Sequence, residues 1–485
     1  MSLIFGYDAG THGIRALAYD TRRRAIVAAA KSEYRRITAP GIQELEPDRL
    51  WRSFREATAR LGEALPLGAA AEALAITHQR GTVLPVDAAM RPLANARCDS
   101  DGRALGAGEL SEYGISAADY YRKTGCPFLS FNGAAKVLWC HKNAPELYAR
   151  AAAWLSPQDY LASRLRGRLV QSAGSATRGG LYDIDGRRAA RGLFPALGEN
   201  QPNAGLPCVE PGRCLGEATA ATVAELPPLR GAALVAAPGD QPAALLGCGA
   251  AGRGQIAVNL GTTYVASMTA DAPAFDPECL VTVEILPEGG YAPEFGTGAG
   301  GQFMDWLSAL LLGRMPSGQR EWDALDALTQ SVPAGSEGLL AVPLLWQVTS
   351  AGVRGRFANL ASFHTRGHFL RSVYEGLAYE TRLAVERLER IGGRAAAAVK
   401  VFGGMSENRR LLAILASVLR RPVQAAYQKQ ASACGALLCA ARAAGHFDNL
   451  AKALTWADQI RATYMPNDKE AAYYDGGFTS YRDAR

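Results

Sequence analysis

The chain has 485 residues, of which 48% are hydrophobic and 20% are charged, with a formal net charge of +6 at pH 7. This length exceeds what one hydrophobic core supports, so two large domains are expected, and the composition excludes a disordered or fibrous protein. Basic and acidic residues are interspersed, which argues against nucleic acid as a partner.

The first third of the chain alternates predicted strands and helices. Apolar runs predict strands at residues 3–8, 14–20 and 25–34, and an amphipathic pattern predicts a helix over residues 47–65 with Pro47 in its first turn. Extended structure is expected at residues 73–79 and 82–87, followed by helices from residue 134 to 166 and by Pro- and Gly-rich connectors.

Near the middle the pattern starts again. Residues 254–268, "GQIAVNLGTTYVASM", predict a strand, a Gly-Thr turn and a second strand, which repeats the hairpin that opens the chain. The remaining elements are predicted as helices at 300–313, 368–393, 406–420 and 431–445 and strands at 398–404 and 422–427. We expect one domain at residues 1–238 and a second at 239–485, each of α/β class.

The opening hairpin, "IFGYDAGTHGIRALAYD", carries unusual polar groups at its bend. It has an ordinary structural interpretation, in which Gly10 and Gly13 take positive φ in a turn and Arg15 is a solvated charge. The chemical interpretation is a phosphate site, in which backbone amides, the Thr11 hydroxyl and Arg15 hold phosphate oxygens and Asp8 holds a magnesium ion.

A second Gly-Thr turn, formed by Gly261, Thr262 and Thr263, lies half a chain later. An ordinary hairpin explains either turn taken alone. Their occurrence in corresponding positions favours a nucleotide whose phosphates are held by both turns.

Asp240 follows an apolar strand and stands where a helix begins. One interpretation makes it a helix N-cap, and the other makes it a general base that receives the proton of an attacking hydroxyl. A third element, Gly403 and Gly404, lies between a strand and a helix, where a ligand can approach the backbone closely, although Ser406 or Glu407 there would serve equally as a cap.

Cysteine usage and hydropathy bear on location. The nine cysteines form no Cys-x-x-Cys pair, so reduced thiols in a cytoplasmic protein are expected. The chain opens without a secretory signal pattern, and its most apolar stretch, residues 232–251, is broken by Pro238, Asp240 and Pro242. We therefore expect no membrane partner.

Four motifs in order carry a family resemblance. They are D-x-G-T-x-x-x-R at the start, G-D-Q ahead of a helix, L-G-T-T on a later strand and G-G-x-S-x-N near the end. Together they resemble the FGGY carbohydrate kinases through nearly all of the chain. The resemblance implies a two-domain, actin-like (ribonuclease H-like) α/β ATPase fold, with ATP and Mg²⁺ in an interdomain active-site cleft and transfer of the γ-phosphoryl group to a sugar or polyol hydroxyl.

The resemblance also implies roles for the residues that match the motifs. Asp240 matches the catalytic base, and Asp8 matches a magnesium ligand, directly or through water. The residues that match phosphate or nucleotide motifs are Gly10, Thr11, Arg15, Gly261, Thr262, Thr263, Gly403, Gly404 and Asn408. Those expected to border the substrate are Gln79, Arg80, Asp101, Arg103, Asp240 and Gln241.

Within the family, two segments resemble different kinases. Residues 151–185 and the "SDGRA" segment with Asp101 and Arg103 are similar to xylulokinases, whereas "ITHQRGT", residues 76–82, is closer to the N-Q-R-E-T of glycerol kinases. Gly81 replaces the glutamate with which glycerol kinases hold glycerol. The segment "LLWQVTSAGVRGRF", residues 344–357, is shorter than usual, and Ala413 stands where many members have glutamine.

The expected function is ATP-dependent phosphorylation of a sugar hydroxyl, with D-xylulose as the first candidate acceptor. Ribulose, glycerol and erythritol are alternative acceptors, and a non-enzymatic sugar- and nucleotide-binding relic of the fold is the alternative class. A homodimer is the general expectation for a soluble enzyme.

Overall fold

The computed structural model describes residues 2–250, 252–345 and 354–485. Most of the shortened segment at 344–357 therefore lies outside the described residues. In the described ranges, the structure contains no helix whose length and apolar character suffice to cross a membrane.

Strands and helices alternate along the chain. The strands are β1 Leu3–Gly10, β2 Gly13–Asp20, β3 Ala25–Glu33, β4 Ile37–Ala39, β5 Ile42–Leu45, β6 Ala71–His78, β7 Leu84–Val86, β8 Ala96–Arg97, β9 Ala153–Leu155, β10 Gln171–Ser172, β11 Tyr182–Asp183, β12 Arg188–Ala189, β13 Cys208–Val209, β14 Cys214–Glu217, β15 Ala233–Ala236, β16 Ile256–Leu260, β17 Tyr264–Met268, β18 Thr282–Ile285, β19 Tyr291–Gly296, β20 Leu340–Val342, β21 Arg356–Ala358, β22 Val399–Phe402, β23 Val423–Ala426 and β24 Ile460–Tyr464.

The α-helices are α1 Pro47–Glu63, α2 Ala117–Thr124, α3 Gly133–Asn143, α4 Pro145–Arg150, α5 Pro157–Arg166, α6 Ala173–Gly179, α7 Ala220–Glu225, α8 Asp240–Gly247, α9 Gly301–Leu312, α10 Gln319–Ala327, α11 Arg366–Gly392, α12 Arg409–Leu419, α13 Ala431–Ala443, α14 Leu450–Ala457 and α15 Asp468–Ala484. Short 3₁₀ turns lie at Ala107–Tyr113, Pro195–Leu197, Pro227–Leu229, Pro287–Gly289, Ser336–Gly338 and Gly404–Glu407.

The chain forms two compact units, each assembled from separate stretches of sequence. Unit 1 contains Met1–Ala251, Ala270–Pro293 and Gln430–Ala457, and unit 2 contains Gly252–Thr269, Glu294–Lys429 and Asp458–Arg485. The sequence predicted a single boundary between residues 238 and 239, whereas helix α8, which begins at Asp240, belongs to unit 1. The two-domain boundary at that position stays a prediction.

The sheet of unit 1 has the strand order β14-β15-β6-β1-β2-β3. Strands β1, β2 and β3 pair antiparallel, β6 pairs parallel to β1, β15 pairs parallel to β6, and β14 closes the sheet antiparallel to β15. The helix α1 supplies the crossover that a parallel β1–β6 pair requires.

The sheet of unit 2 repeats this connectivity. Six consecutive strands of this seven-stranded sheet have the order β19-β17-β16-β22-β23-β24, with β16, β17 and β19 antiparallel, β22 parallel to β16, β23 parallel to β22, and β24 antiparallel to β23. The repeat predicted from two Gly-Thr hairpins therefore extends over six strands in each of the two sheets. It confirms the α/β class and the duplicated ribonuclease H-like core.

Glycines allow helix α13, from near the end of the sequence, to pack into unit 1. A Cβ atom on Gly435 would lie 1.8 Å from the carbonyl oxygen of Ala243 in α8, and one on Gly6 would lie 2.3 Å from the carbonyl oxygen of Ala433. Backbone therefore contacts backbone at both positions. This close approach explains why α8 and α13 belong with the first sheet.

Most predicted elements are confirmed, and the differences have simple causes. Strand β9 interrupts the helical region predicted from 134 to 166, because its apolar residues pair with β7. The helix predicted to start at 406 starts at Arg409, since Asn408 caps it. Elements α14, β24 and α15 were not predicted.

We expect Gly435→Ala to destabilise the protein, because the added methyl group overlaps the Ala243 carbonyl and overpacking of this kind costs at least about 2 kcal/mol. Gly476→Ala is the matched control: Gly476 lies in α15 with nothing within 4 Å of its Cβ position, so alanine should stabilise that helix by up to about 1 kcal/mol. Thermal unfolding of both variants measures the difference. Equal midpoints for the two variants would contradict the packing described above.

Candidate active site

In unit 1, three parallel strands end at one edge of the sheet. The chain leaves β1 at Gly10, β6 before Gln79 and β15 before Asp240, and because β1, β6 and β15 are mutually parallel, their carboxyl ends lie together. Ligands of open α/β sheets bind at such an edge. The residues predicted from three separate motifs are therefore brought to one place by topology.

Asp8 and Arg15 face each other across the first hairpin. They are directly paired in the antiparallel β1–β2 ladder, and Arg15 Nη1 lies 3.5 Å from Asp8 Oδ2. The Arg15 side chain is 60% exposed, so its guanidinium remains accessible to a ligand. Gly13 has φ +156° and would collide with the Ser32 carbonyl if it carried a Cβ atom, whereas Gly10 has no positive φ, in contrast to the turn predicted for it.

The Asp8 carboxylate is buried and incompletely paired. Its Oδ1 is shielded from solvent and makes no hydrogen bond with the protein. Burial, reinforced by the nearby charge of Asp240 and opposed by Arg15, raises the pKa of Asp8 to about 7. A buried carboxylate oxygen without a partner is a position at which a cation would be stabilised.

Asp240 is held by Arg80. Arg80 Nε donates to Asp240 Oδ1 at 2.7 Å, and the backbone amide of Gln241 donates to the same oxygen at 2.9 Å. The N-cap position of α8 is occupied by Gly239, with Asp240 as the first helical residue. The other oxygen, Oδ2, carries no hydrogen bond among the described residues, and the side chain is 25% exposed. Asp240 thus presents one fixed, open acceptor oxygen.

Glu284 completes this arrangement, and sequence reasoning missed it. Arg80 Nη1 donates to Glu284 Oε1 at 2.6 Å, and the Thr177 hydroxyl donates to Oε2. Glu284 is fully buried in β18, and the ion pair with Arg80 compensates its charge. An acid inside an otherwise apolar strand, "VTVEIL", was the available signal.

Gly81 leaves no room for a side chain. Its φ is +78°, and a Cβ atom would lie 2.1 Å from the carbonyl oxygen of Phe131. A glutamate therefore does not fit this backbone. Beside it, Gln79 is 8% exposed, and its Oε1 accepts a hydrogen bond from Arg36 Nη2.

Asp101 and Arg103 use most of their hydrogen-bonding capacity on each other. Asp101 accepts from Arg103 Nε at 2.9 Å and Nη2 at 2.8 Å, and from the Gln43 amide at 2.9 Å. Arg103 Nη2 also donates to Glu44. This pair links β5 to the loop that follows β8. Contact of the pair with a sugar stays a prediction.

Unit 2 brings the second Gly-Thr turn and the Gly-Gly motif to one cavity of about 1050 Å³. Strands β16 and β22 are parallel, so the turn after β16 and the loop after β22 share an edge. Thr263 and Gly403 do not line this cavity. Its lining residues include Leu260, Gly261, Thr262, Trp322, Asp326, Gly404, Met405, Glu407, Asn408, Lys429 and Arg461.

The two glycines of the Gly-Gly motif have different surroundings. Gly403 has φ +94°, and a Cβ atom there would lie 2.6 Å from Asn259 Oδ1, so glycine is required for β22 to pass close to β16. Gly404 has nothing within 4 Å of its Cβ position and borders the cavity. The first glycine is therefore structural, and the second leaves its backbone open to the cavity.

Asn408 caps α12 and anchors the wall of the cavity. Its Oδ1 accepts from the Leu411 amide at 2.8 Å, which replaces the predicted cap by Ser406 or Glu407. Its Nδ2 donates to both Asp326 oxygens, at 3.0 and 2.9 Å. Glu407 instead pairs with Arg461 at 2.8 Å.

We expect the stability of the ligand-free protein to respond to the titration of Asp8. Because burial raises its pKa to about 7, the folded protein keeps a proton that the unfolded chain releases near pH 4, and this stabilisation is lost as the pH rises to 7. The thermal midpoint of Asp8→Asn, relative to wild type, should therefore rise from pH 5 to pH 7 and level off above it. Asp185→Asn, at an exposed position, is the control, and a pH-independent difference for Asp8→Asn would contradict the assignment.

Comparison with known proteins identifies the family. The profile for the FGGY family of carbohydrate kinases, N-terminal domain, matches residues 3–247, and that for the C-terminal domain matches residues 256–444. A glycerol kinase of Nocardia farcinica is 27% identical over 94% of this chain and 95% of its own length, and one of Methylorubrum extorquens is 29% identical over 94% and 93%. A solved xylulose kinase from Rhodospirillum rubrum has a TM-score of 0.89 and 25% identity over 99% of this chain and 98% of that chain. The chain belongs to the FGGY family of carbohydrate kinases.

Proposed function

We propose that this protein transfers the γ-phosphoryl group of ATP to a hydroxyl of an open-chain sugar, D-xylulose being the acceptor that we favour. The observation that carries the proposal is the open Oδ2 of Asp240, which Arg80 fixes at the edge of the sheet beside Asp8 and Arg15. A carboxylate oriented by a buried arginine, with one free oxygen, suits a general base.

The proposed chemistry assigns a role to each group. The acceptor hydroxyl oxygen attacks the γ-phosphorus, its proton passes to Asp240 Oδ2, and the bond from the γ-phosphorus to the bridging oxygen breaks to release ADP. Arg15 and the amides of the first turn offset charge on the transferring group. Arg80 and Glu284 keep Asp240 oriented without taking part in proton transfer.

The residues present in unit 1 fit a magnesium ion. Mg²⁺ is usually bound by one or two carboxylates together with phosphate oxygens and water, and the unpaired Oδ1 of Asp8 supplies such a carboxylate oxygen. When bound there with a nucleotide, the ion would neutralise phosphate charge. Asp8 would hold it directly or through water.

The cavity of unit 2 suits the nucleotide. Apolar surface from Leu260, Trp322 and Met405 is compatible with a base, and Gly261, Thr262 and Gly404 offer backbone and a hydroxyl to phosphates or ribose. Thr263 remains a proposed phosphate ligand from the motif alone. We also infer a cytoplasmic location, with which the free cysteines accord, and a homodimer, which is the general expectation for a soluble enzyme.

The acceptor is inferred from Gly81 and its neighbours. Glycerol kinases resemble this chain in sequence, yet the left-handed backbone at Gly81 and the Phe131 carbonyl leave no space for the glutamate expected to hold glycerol. The resemblance of the SDGRA segment to xylulokinases supports a longer acceptor. Ribulose and erythritol remain alternatives within the same chemistry.

We expect Asp240→Asn to lower kcat by about 10²- to 10⁴-fold, the contribution typical of a general base, while the Kd for ATP changes little. Coupled ADP release measures turnover, and calorimetry measures nucleotide binding. Asp185→Asn, at an exposed carboxylate of the same unit, should retain wild-type turnover. Near-wild-type kcat in Asp240→Asn would refute the assignment of the base.

A panel of D-xylulose, D-ribulose, erythritol and glycerol tests the acceptor. We expect kcat/KM for D-xylulose to exceed that for glycerol by at least about 10-fold, because a shorter substrate leaves polar groups of the site without hydrogen-bond partners. Acceptor-dependent ADP release measures each value. A preference for glycerol would replace the proposed acceptor while leaving the kinase assignment in place.

A further inference from the structure

Arg36 is a largely covered arginine beside the proposed acceptor site. It lies between β3 and β4, its side chain is 11% exposed, and its Nε is shielded from solvent without a hydrogen-bond partner. Two residues earlier, the Tyr34 hydroxyl donates to the carbonyl oxygen of Gly10 in the first phosphate turn. Burial of a guanidinium with an unused donor is costly and calls for a specific role.

The guanidinium of Arg36 joins two side chains from different segments. Its Nη2 donates to Gln79 Oε1, and its Nη1 lies 3.4 Å from Asp99 Oδ1. Gln79 immediately precedes Arg80, which holds Asp240, and the Cβ position of Gly81 lies 3.6 Å from Asp99 Cβ. The contact therefore lies next to the residues that carry the chemistry.

Arg36 determines which way the Gln79 amide points. A guanidinium has donors and no acceptor, so Gln79 must turn its oxygen toward Arg36 and its NH₂ group away. That Nε2 carries no hydrogen bond among the described residues. In the same way Asp99 directs Oδ1 toward Arg36, and its side chain is 38% exposed, which leaves Oδ2 available.

We propose that Arg36 is a positioning residue for acceptor specificity, which orients the Gln79 amide as a donor and the Asp99 carboxylate as an acceptor for two neighbouring oxygens of an open-chain polyhydroxylated substrate. Gln79 donates to a carbonyl or hydroxyl oxygen, and Asp99 accepts from a hydroxyl. A three-carbon polyol that makes both contacts has only the hydroxyl on its remaining, adjacent carbon for Asp240, whereas a five-carbon sugar can present a hydroxyl two or three carbons further away. The inference rests on the proposed function and deepens it.

The test uses Gln79→Glu and Arg36→Met in the full chain. Glutamate keeps an oxygen toward Arg36 and removes the NH₂ donor, whereas Arg36→Met keeps an unbranched side chain and releases both partners. For D-xylulose we expect KM, and Kd measured by calorimetry without nucleotide, to rise at least 10-fold in both variants. The KM for ATP should stay unchanged, kcat should stay within about 3-fold, and Arg36→Lys should recover part of the affinity.

Arg35→Met is the matched control, because Arg35 is an exposed neighbour on the same loop. It should keep wild-type values for both substrates, and glycerol should show no comparable loss in any variant. If Arg36→Met does not fold, the D-xylulose affinities of Gln79→Glu and Asp99→Asn, which should both be lower than that of the wild type, test the inference.

Three outcomes would overturn the inference: D-xylulose affinity within twofold of wild type in Gln79→Glu, equal losses for D-xylulose and glycerol, or no binding of D-xylulose or the other panel polyols by the wild type. Binding of D-xylulose without phosphorylation would instead overturn the kinase proposal alone, so the two failures are distinguishable.

Discussion

The ion pairs of Arg80 with Asp240 and Glu284 are the constraint on which unit 1 depends. Arg80 is buried between a helix start and a strand interior, at 2.7 Å from one carboxylate and 2.6 Å from the other. Removing one member of such a group would leave a charge uncompensated inside the protein, which is strongly destabilising. The same contacts that stabilise the fold at this point also orient the carboxylate with the open oxygen. Stability and chemistry are therefore coupled in one residue.

The two units share one topology. In each, a Gly-Thr turn follows the first of two parallel strands, and a further functional segment follows the second. The edge in unit 1 carries charged side chains around Arg80, and the cavity in unit 2 combines apolar surface from Leu260, Trp322 and Met405 with charged side chains such as Asp326 and Lys429. The residues that follow the strands therefore differ in chemistry between the two units, although the strand order is the same.

The sequence analysis predicted most of the long strands and both hairpins and identified the motif residues, because those signals are local in the chain. It missed Glu284 and Arg36, since their importance depends on partners that are distant in sequence, 204 residues from Arg80 to Glu284 and 43 from Arg36 to Gln79. The predicted boundary at residue 239, which stays a prediction, was drawn without knowledge of α13, because no local pattern reveals that α13 packs on α8. A helix cap was correctly expected before α12, but the capping residue is Asn408 and not Ser406 or Glu407.

The return of α13 to the first sheet bears on how the chain is synthesised. Gly6 in β1 contacts backbone of α13, and the last stretch of unit 1 ends at Ala457. While a ribosome produces the protein, the face of β1 that α13 covers stays without its partner until α13, Ala431–Ala443, has been translated. Folding of unit 1 is therefore completed only after residues 294–429 of unit 2 have been synthesised, and exposed apolar surface of this kind makes folding intermediates prone to aggregation.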